Sequence, residues 1–278
     1  MKNIIKRINE GLAGLYPPRE IKAITHIMIT ELLGIPEMSF FLKDEVTLSA
    51  EQTALLDNAI ARLLKQEPIQ YILGYCDFCG LRFKVNASTL IPRPETSELV
   101  EWVAGEATGK KRILDIGTGS GCIAISLARR LPEASVEAWD ISTEALETAE
   151  KNSRDNGAEV TFNIVDVLSH IPDEKKFDII VSNPPYIKEV EKEEMEANVL
   201  NWEPHTALFV PDHDPLLFYR TIAVKGKEML HPGGKLFFEI NRSHGKDTME
   251  MLAALGYTEI ELRKDFADND RMIRAILP

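Results

Sequence analysis

"ILDIGTGSGCIAIS", Ile113 to Ser126, joins an apolar run to a helical pattern through Gly117, Gly119 and Gly121, with Thr118 and Ser120 between them. Glycines at such a junction let the backbone turn tightly and approach a ligand closely. A glycine-rich turn that holds nothing has the same local sequence, so the loop alone leaves both readings open. The flanking segments fix the architecture. "RILDIG" reads as a strand and Cys122 to Arg130 as a helix; "SVEAWD" is a strand, and Ser142 caps the helix "TEALETAEKNSRDN". "VTFNIV" and "FDIIVSN" are strands, and Asp214-Pro215 opens a helix that ends before Pro232-Gly233-Gly234. "KLFFEI", a helix up to Leu255-Gly256, "YTEIELRKD" and "MIRAIL" complete the series. Repeated strand–helix alternation predicts an α/β fold with a mainly parallel sheet covered on both faces.

Upstream the periodicity is helical. Ile4, Ile8, Leu12 and Leu15 fall on one helical face until Pro17-Pro18 break it. A second helix is expected from Glu20 to Leu33, ending at Gly34, and a third from "SAEQ", where Ser49 and Gln52 have capping-box spacing. From Ile69 to Ile91 the period shortens, and "YILGY" and "LRFKV" predict the strands of a hairpin linker. "IPRPETSELVEW" follows, with Leu99, Val100 and Val103 starting a helix. The expected division is a small helical domain over 1–68, a hairpin linker over 69–91 and the α/β domain over 92–278. No repeat or low-complexity tract interrupts it.

The chain has 278 residues, and 44 acidic against 32 basic residues give a formal net charge of −12. A broad electrostatic grip on nucleic acid is therefore disfavoured. Charges at Lys6, Arg7 and Glu10 break the first apolar stretch, so no signal peptide is read, and no apolar run nears membrane-spanning length. A soluble, cytoplasmic protein is expected. Its cysteines number three, so a disulfide framework is not expected. Cys76-x-x-Cys79 has no second ligand pair and sits where a hairpin is read, which favours two ordinary cysteines over a metal or redox site. His170, His205, His213 and His231 lack metal-ligand spacing, and His26 reads as helix packing; no metal is expected.

Asp140 ends the strand after the glycine loop, where a carboxylate accepts hydrogen bonds from ribose hydroxyls. A nicotinamide dinucleotide and S-adenosylmethionine both have such a ribose. Dinucleotide folds use G-x-G-x-x-G with a pyrophosphate on the helix N-terminus. Here the order is Asp115-x-Gly117-x-Gly119-x-Gly121, and a carboxylate just upstream would repel a pyrophosphate but suit an ammonium group. After the third strand, Asp166 is placed to accept from an adenine amino group and Val167 to pack on the ring. The combination points to S-adenosylmethionine.

"FDIIVSNPPYIKE", Phe177 to Glu189, ends a buried-looking strand on Asn183, locked by Pro184 and Pro185. Open α/β sheets place ligand chemistry at such strand ends; a plain Asn-Pro turn reads the same way. In the order "IPRPET", "DIGTGSG", "DIS", "NPPY", the chain resembles the peptide chain release factor glutamine methyltransferases of the PrmC/HemK type. The resemblance extends through "PIQYILGY", "EPHTAL", "LLFYR", "HPGG", "FFEI" and "DRMIRA". It implies a seven-stranded Rossmann-like class I methyltransferase sheet behind a helical N-terminal domain; since every candidate site residue lies after Pro92, that domain is expected to dock the substrate.

The same resemblance implies methyl transfer from S-adenosylmethionine, leaving S-adenosylhomocysteine, to the side-chain amide of the glutamine in a Gly-Gly-Gln loop of release factors. Asn183 would hold that amide through its oxygen beside the cofactor, with the Pro184 carbonyl as second acceptor. Pro185 and Tyr186 would shape the pocket, Tyr186 packing on the amide plane. A monomer is expected. The rival is an adenine or guanine amino-group methyltransferase of nucleic acid, which the net charge and the lack of a Lys/Arg-rich segment oppose. A non-catalytic binding protein would not need the intact tetrapeptide. Asn241, where the family usually has glycine after "EI", His244 and "DFADNDR" depart from the pattern and are expected away from Asn183. The acidic run "KEVEKEEMEAN" reads as a solvated helix face, with a lid as the sharper alternative.

Overall fold

The computed structural model describes residues 1–40, 46–170 and 176–278. The chain forms two compact units, Met1–Gly74 with Glu196–Trp202, and Tyr75–Met195 with Glu203–Pro278.

In the first unit α1 (Lys2–Leu12) and α2 (Pro18–Ile27) are followed by a wider π turn, Met28–Leu32, then α3 (Ala50–Leu63) and the short α4 (Ile69–Leu73). Ile8, Leu12, Met28, Ile29 and Leu56 are fully buried in its core. Leu15, expected on the same face, is 37% exposed. The helix stops at Leu12 and the chain turns extended at Ala13, so helical spacing no longer applies. Pro18 opens α2 at a position whose N–H would have no partner anyway. Ser49 caps α3 as its spacing predicts: its Oγ accepts from Gln52 N and its N donates to Gln52 Oε1, both at 3.0 Å. "YILGY" is corrected. Its first residues belong to α4, which ends at Gly74 with φ 80°, and the strand begins only at Tyr75. A short apolar run does not separate the two periods.

The second unit begins with the hairpin β1 (Tyr75–Phe78) and β2 (Leu81–Lys84). Cys79 and Gly80 form its turn with φ of 50° and 76°, the left-handed pair of a tight two-residue hairpin. Then come α5 (Pro94–Glu106), β3 (Arg112–Ile116), α6 (Cys122–Arg130), β4 (Ser135–Asp140), α7 (Thr143–Asp155), β5 (Val160–Ile164) and β6 (Phe177–Ser182). The short strands β7 (Ile187–Lys188) and β8 (Phe209–Val210) pair with each other; between them α8 (Ala197–Leu200) belongs to the first unit. The chain closes with α9 (Leu217–Met229), β9 (Leu230–Glu239), α10 (Gly245–Ala254), β10 (Thr258–Lys264) and β11 (Asp270–Ile276).

Seven strands form one sheet in the order β10-β11-β9-β6-β3-β4-β5. The run from β9 to β5 is parallel, while β11 and β10 are antiparallel. Leu99, Val103, Ile125 and Leu127 pack one face, and Tyr219, Ile222, Ala223 and Leu252 the other. Both faces are dry, which is why the central strands read as continuous apolar runs. From β3 the chain steps outward to β4 and β5, then returns to β6 on the other side of β3. This reversal opens a crevice beyond the carboxyl ends of β3 and β6.

Two expectations change here. Pro232-Gly233-Gly234 lie inside β9, where the register against β6 is irregular, and not in a turn before it. The acidic run after Tyr186 is not one helix: β7 gives way to a 3-10 turn, Glu189–Glu194, and then to α8. Among the described residues no helix is long and apolar enough to cross a membrane.

Candidate active site

A cavity of about 320 Å³ occupies the crevice. Gly117, Gly119, Asp140, Asp166, Val167 and Asn183 line it, as do Pro184 and Pro185. Asp115, Thr118, Ser120, Gly121 and Tyr186 are not on its wall. The sequence therefore brings two loops together, each at the end of a parallel strand, and the residues behind them explain their shapes.

The glycine loop is held by backbone groups. Gly117 N and Thr118 N donate to the Trp139 carbonyl at 2.8 and 3.0 Å, and Gly119 N to Asp140 Oδ2 at 2.8 Å. Asp140 Oδ1 accepts from Ser142 N at 2.9 Å, so this carboxylate joins the loop to the start of α7. Burial pushes its pKa up against those donors. Gly121 adopts φ +81°, and a Cβ there would lie 2.7 Å from Ile125 Cδ1. Asn152, fully buried on α7, donates to the Ser120 carbonyl at 2.9 Å and the Lys84 carbonyl at 3.0 Å, linking the loop to the hairpin.

Asp115 is wholly buried beneath this loop. Its Oδ2 accepts from Thr118 Oγ1 at 2.6 Å and Ala124 N at 3.2 Å, and its Oδ1 has no hydrogen-bond partner among the described residues. Burial, with a smaller push from the Asp140 charge, raises its pKa to about 7. Asp166 is the opposite case: Leu168 N and Ser169 Oγ, each at 2.9 Å, hold its carboxyl below the usual range.

The second loop is braced by buried side chains. Ser182 Oγ donates to the Ile116 carbonyl at 2.6 Å, tying the ends of β6 and β3. Asn183 Nδ2 faces Thr96 Oγ1 at 3.5 Å, a long contact, and Thr96 Oγ1 donates to Glu239 Oε2 at 2.6 Å. The Tyr186 hydroxyl donates to Glu239 Oε1 at 3.4 Å, and burial, then the Glu239 charge, pushes its pKa up. Asn241 Nδ2 donates to the Tyr186 carbonyl at 3.2 Å, and the Asn241 N–H to the Tyr219 hydroxyl at 3.2 Å. Asn241, expected to lie away from the tetrapeptide, is therefore one of its anchors. Glu203, also buried, accepts from Ile91 N at 3.0 Å and pairs with Arg93 at 2.5 Å. Thr96, Glu239, Asn152 and Glu203 were missed as site residues. "IPRPET", "FFEI" and "EPHTAL" contain three of them, but no spacing rule links positions 143 residues apart.

Residues 12–74 match the family model of the PrmC N-terminal domain, and residues 96–202 that of the methyltransferase small domain. A release factor glutamine methyltransferase of Bacteroides thetaiotaomicron is 50% identical over 276 residues, 99% of both chains. The chain belongs to the release factor glutamine methyltransferase family. A further member, from Flavobacterium psychrophilum, is 44% identical over 279 residues, 99% of this chain and 98% of its own. Among solved structures, a methyltransferase from Pyrococcus furiosus matches with a TM-score of 0.53 at 19% identity, over 79% of this chain and 98% of that one. A Thermus thermophilus 16S rRNA N2 G1207 methyltransferase also reaches 0.53, at 18% identity over 73% of this chain and 50% of its own. At such identities the two share the fold and nothing finer. As a release factor glutamine methyltransferase family member, this chain is a methyltransferase, and the seven-stranded sheet is the one its sequence implied.

Proposed function

We propose that this enzyme transfers a methyl group from S-adenosylmethionine to the N5 side-chain amide nitrogen of the glutamine in the Gly-Gly-Gln loop of peptide chain release factors. The observation that supports it most is Asn183, on the wall of the cavity that also exposes Gly117, Gly119 and Asp140, with its own amide nitrogen turned back to Thr96. That orientation leaves Oδ1 free to accept.

The residues fit the methyl donor. Asp115 Oδ1, buried and unpartnered beneath the glycine loop, puts an uncompensated acceptor behind the place an ammonium would take; Gly117 and Gly119 leave room for a close approach; Asp140 would take the ribose, and Asp166 and Val167 the adenine. When bound, S-adenosylmethionine supplies an electrophilic methyl on a sulfonium. What remains is orientation of a poor nucleophile, because an amide nitrogen's lone pair is delocalised. Asn183 Oδ1 and the Pro184 carbonyl accept the two amide hydrogens, which fixes the nitrogen and favours charge on it; one of the two leaves as a proton to water as the nitrogen gains the methyl. Positioning of this kind can supply up to about 7–11 kcal/mol of a barrier. Tyr186, with its hydroxyl on Glu239, braces the tetrapeptide from behind.

The helical unit is assigned to release-factor docking, since none of the residues given a role in the chemistry lies in it. A short Gly-Gly-Gln peptide should then show a KM well above that of intact release factor; equal values would remove the docking role. The protein acts in the cytoplasm, as a monomer. The reaction itself is tested by offering purified release factor and RNA side by side with methyl-labelled donor. Label on the release-factor glutamine is expected. Label on RNA alone would replace the substrate class.

A further inference from the structure

The polar groups behind Asn183 run in one direction. Thr96 is buried on α5, and its hydroxyl donates to Glu239 Oε2 at 2.6 Å. A hydroxyl has one proton, and an ionised carboxylate can only accept. With that proton committed to Glu239, Thr96 presents a lone pair to its other neighbour, the Asn183 amide nitrogen at 3.5 Å. The two ends of an Asn amide have nearly the same shape, so packing alone does not choose between them. Hydrogen-bond polarity does.

We infer that Glu239, acting through the Thr96 hydroxyl, determines which end of the Asn183 amide faces the substrate, and is a positioning residue for methyl transfer. This rests on the reaction proposed above. Glu239 never meets the substrate: it is 1% exposed at the end of β9. Its second oxygen takes the Tyr186 hydroxyl, so one carboxylate reaches one end of the tetrapeptide directly and the other through Thr96. Burial raises the Glu239 pKa, and Glu95 at the start of α5 adds to the rise; the Thr96 hydroxyl and Arg271 on β11, itself held by Asp265 at 2.9 Å, favour the charged form against it. The Tyr219 hydroxyl lies near both Tyr186 and Glu239. If Glu239 takes up a proton, it can donate to Thr96, and the Thr96 proton is freed to point at the Asn183 oxygen. The relay then runs backwards, with the Asn183 nitrogen towards the substrate.

Thr96→Val keeps the shape and removes the hydroxyl; Thr96→Ser keeps the hydroxyl. Single-turnover transfer to release factor at saturating cofactor should fall about 10- to 100-fold in Thr96→Val, the scale of a misplaced reactive group. Cofactor affinity by calorimetry and KM for release factor should stay within about twofold, while Thr96→Ser should keep most of the wild-type rate. Glu239→Gln should also lose turnover and flatten the acid limb of the wild-type pH profile. The double variant Thr96→Val/Glu239→Gln should be no slower than the slower single, because both cut one relay. Wild-type turnover in Thr96→Val, equal losses in Val and Ser, or losses that multiply in the double variant would each overturn the inference. Transfer by none of the proteins, wild type included, would overturn the reaction and this inference with it. Thr96→Val and Thr96→Ser, both close in volume to the native residue, keep the test open if Glu239→Gln does not fold.

Discussion

The loops after β3 and β6 leave neighbouring parallel strands in register and face the same cavity, yet they are built by opposite means. The first is shaped by its backbone: three glycines at positive φ, two of whose N–H groups meet the Trp139 carbonyl and the Asp140 carboxylate, with Asn152 behind as its one remote side-chain support. The second has no glycine and is held by three buried side chains remote in sequence, Thr96 on α5, Glu239 at the end of β9 and Asn241 just beyond it. A loop that must wrap a cofactor needs a close approach of backbone. A loop that must orient one amide needs its own side chain fixed in rotation. The difference in construction divides the work: affinity for the methyl donor after β3, and the rate of transfer after β6.

The largest effect that could break this division is at Asn183. Asn183→Ala should lose about 10²–10³ in turnover, the scale for one preorganised polar group in a closed site, with cofactor affinity nearly unchanged. Asn183→Asp keeps an oxygen but adds charge near Glu239 and Asp140, so intermediate turnover is expected. On the other loop, Asp140→Ala should weaken cofactor binding by about 1–3 kcal/mol, read by calorimetry, since a charged acceptor is lost. Unchanged affinity would remove Asp140 from the ribose. Gly121→Ala should destabilise the fold by about 1–3 kcal/mol in chemical denaturation, because the methyl meets Ile125 and the left-handed backbone disfavours a Cβ. A neutral substitution would mean that the loop relaxes freely.

A smaller effect sharpens the role of Asp115. Its folded pKa of about 7 lies above the ordinary aspartate value of 3.8, so its contribution to stability is complete below the latter and is lost as pH rises through 7. An ammonium bound over the glycine loop would lower that pKa. Cofactor binding should therefore release about half a proton near pH 7, and affinity should improve from pH 6 to 8. Calorimetry in two buffers of different ionisation enthalpy reads this directly. No proton release would show that Asp115 keeps its protonation state and does not sense the ammonium.

The comparison also shows what a sequence makes legible. Glycines between a strand and a helix, and an Asn-Pro-Pro at the end of another strand, are local patterns, and both loops were visible before the fold was known. The sheet followed from alternation along the chain. Periodicity failed where elements were short: α4 read as a strand, and the residues after Tyr186 as one helix. What a linear reading does not contain is the support. Nothing local in "FFEI" says that Glu239 will meet Thr96 from "IPRPET" and Tyr186 from "NPPY", because the contact exists only once β9, α5 and β6 lie side by side. Asn241 stands out in the sequence only as a departure from the family pattern, and its bond to Tyr186 exists only in three dimensions.

The most direct test of the division of labour is single-turnover methyl transfer to release factor, with Asp140→Ala and Asn183→Ala each titrated to cofactor saturation. Asp140→Ala should climb to within several-fold of the wild-type rate once saturated, while Asn183→Ala stays about 10²-fold or more below it at every cofactor concentration. Recovery of Asn183→Ala by added cofactor, or an equal and unrecovered loss in both variants, would contradict it.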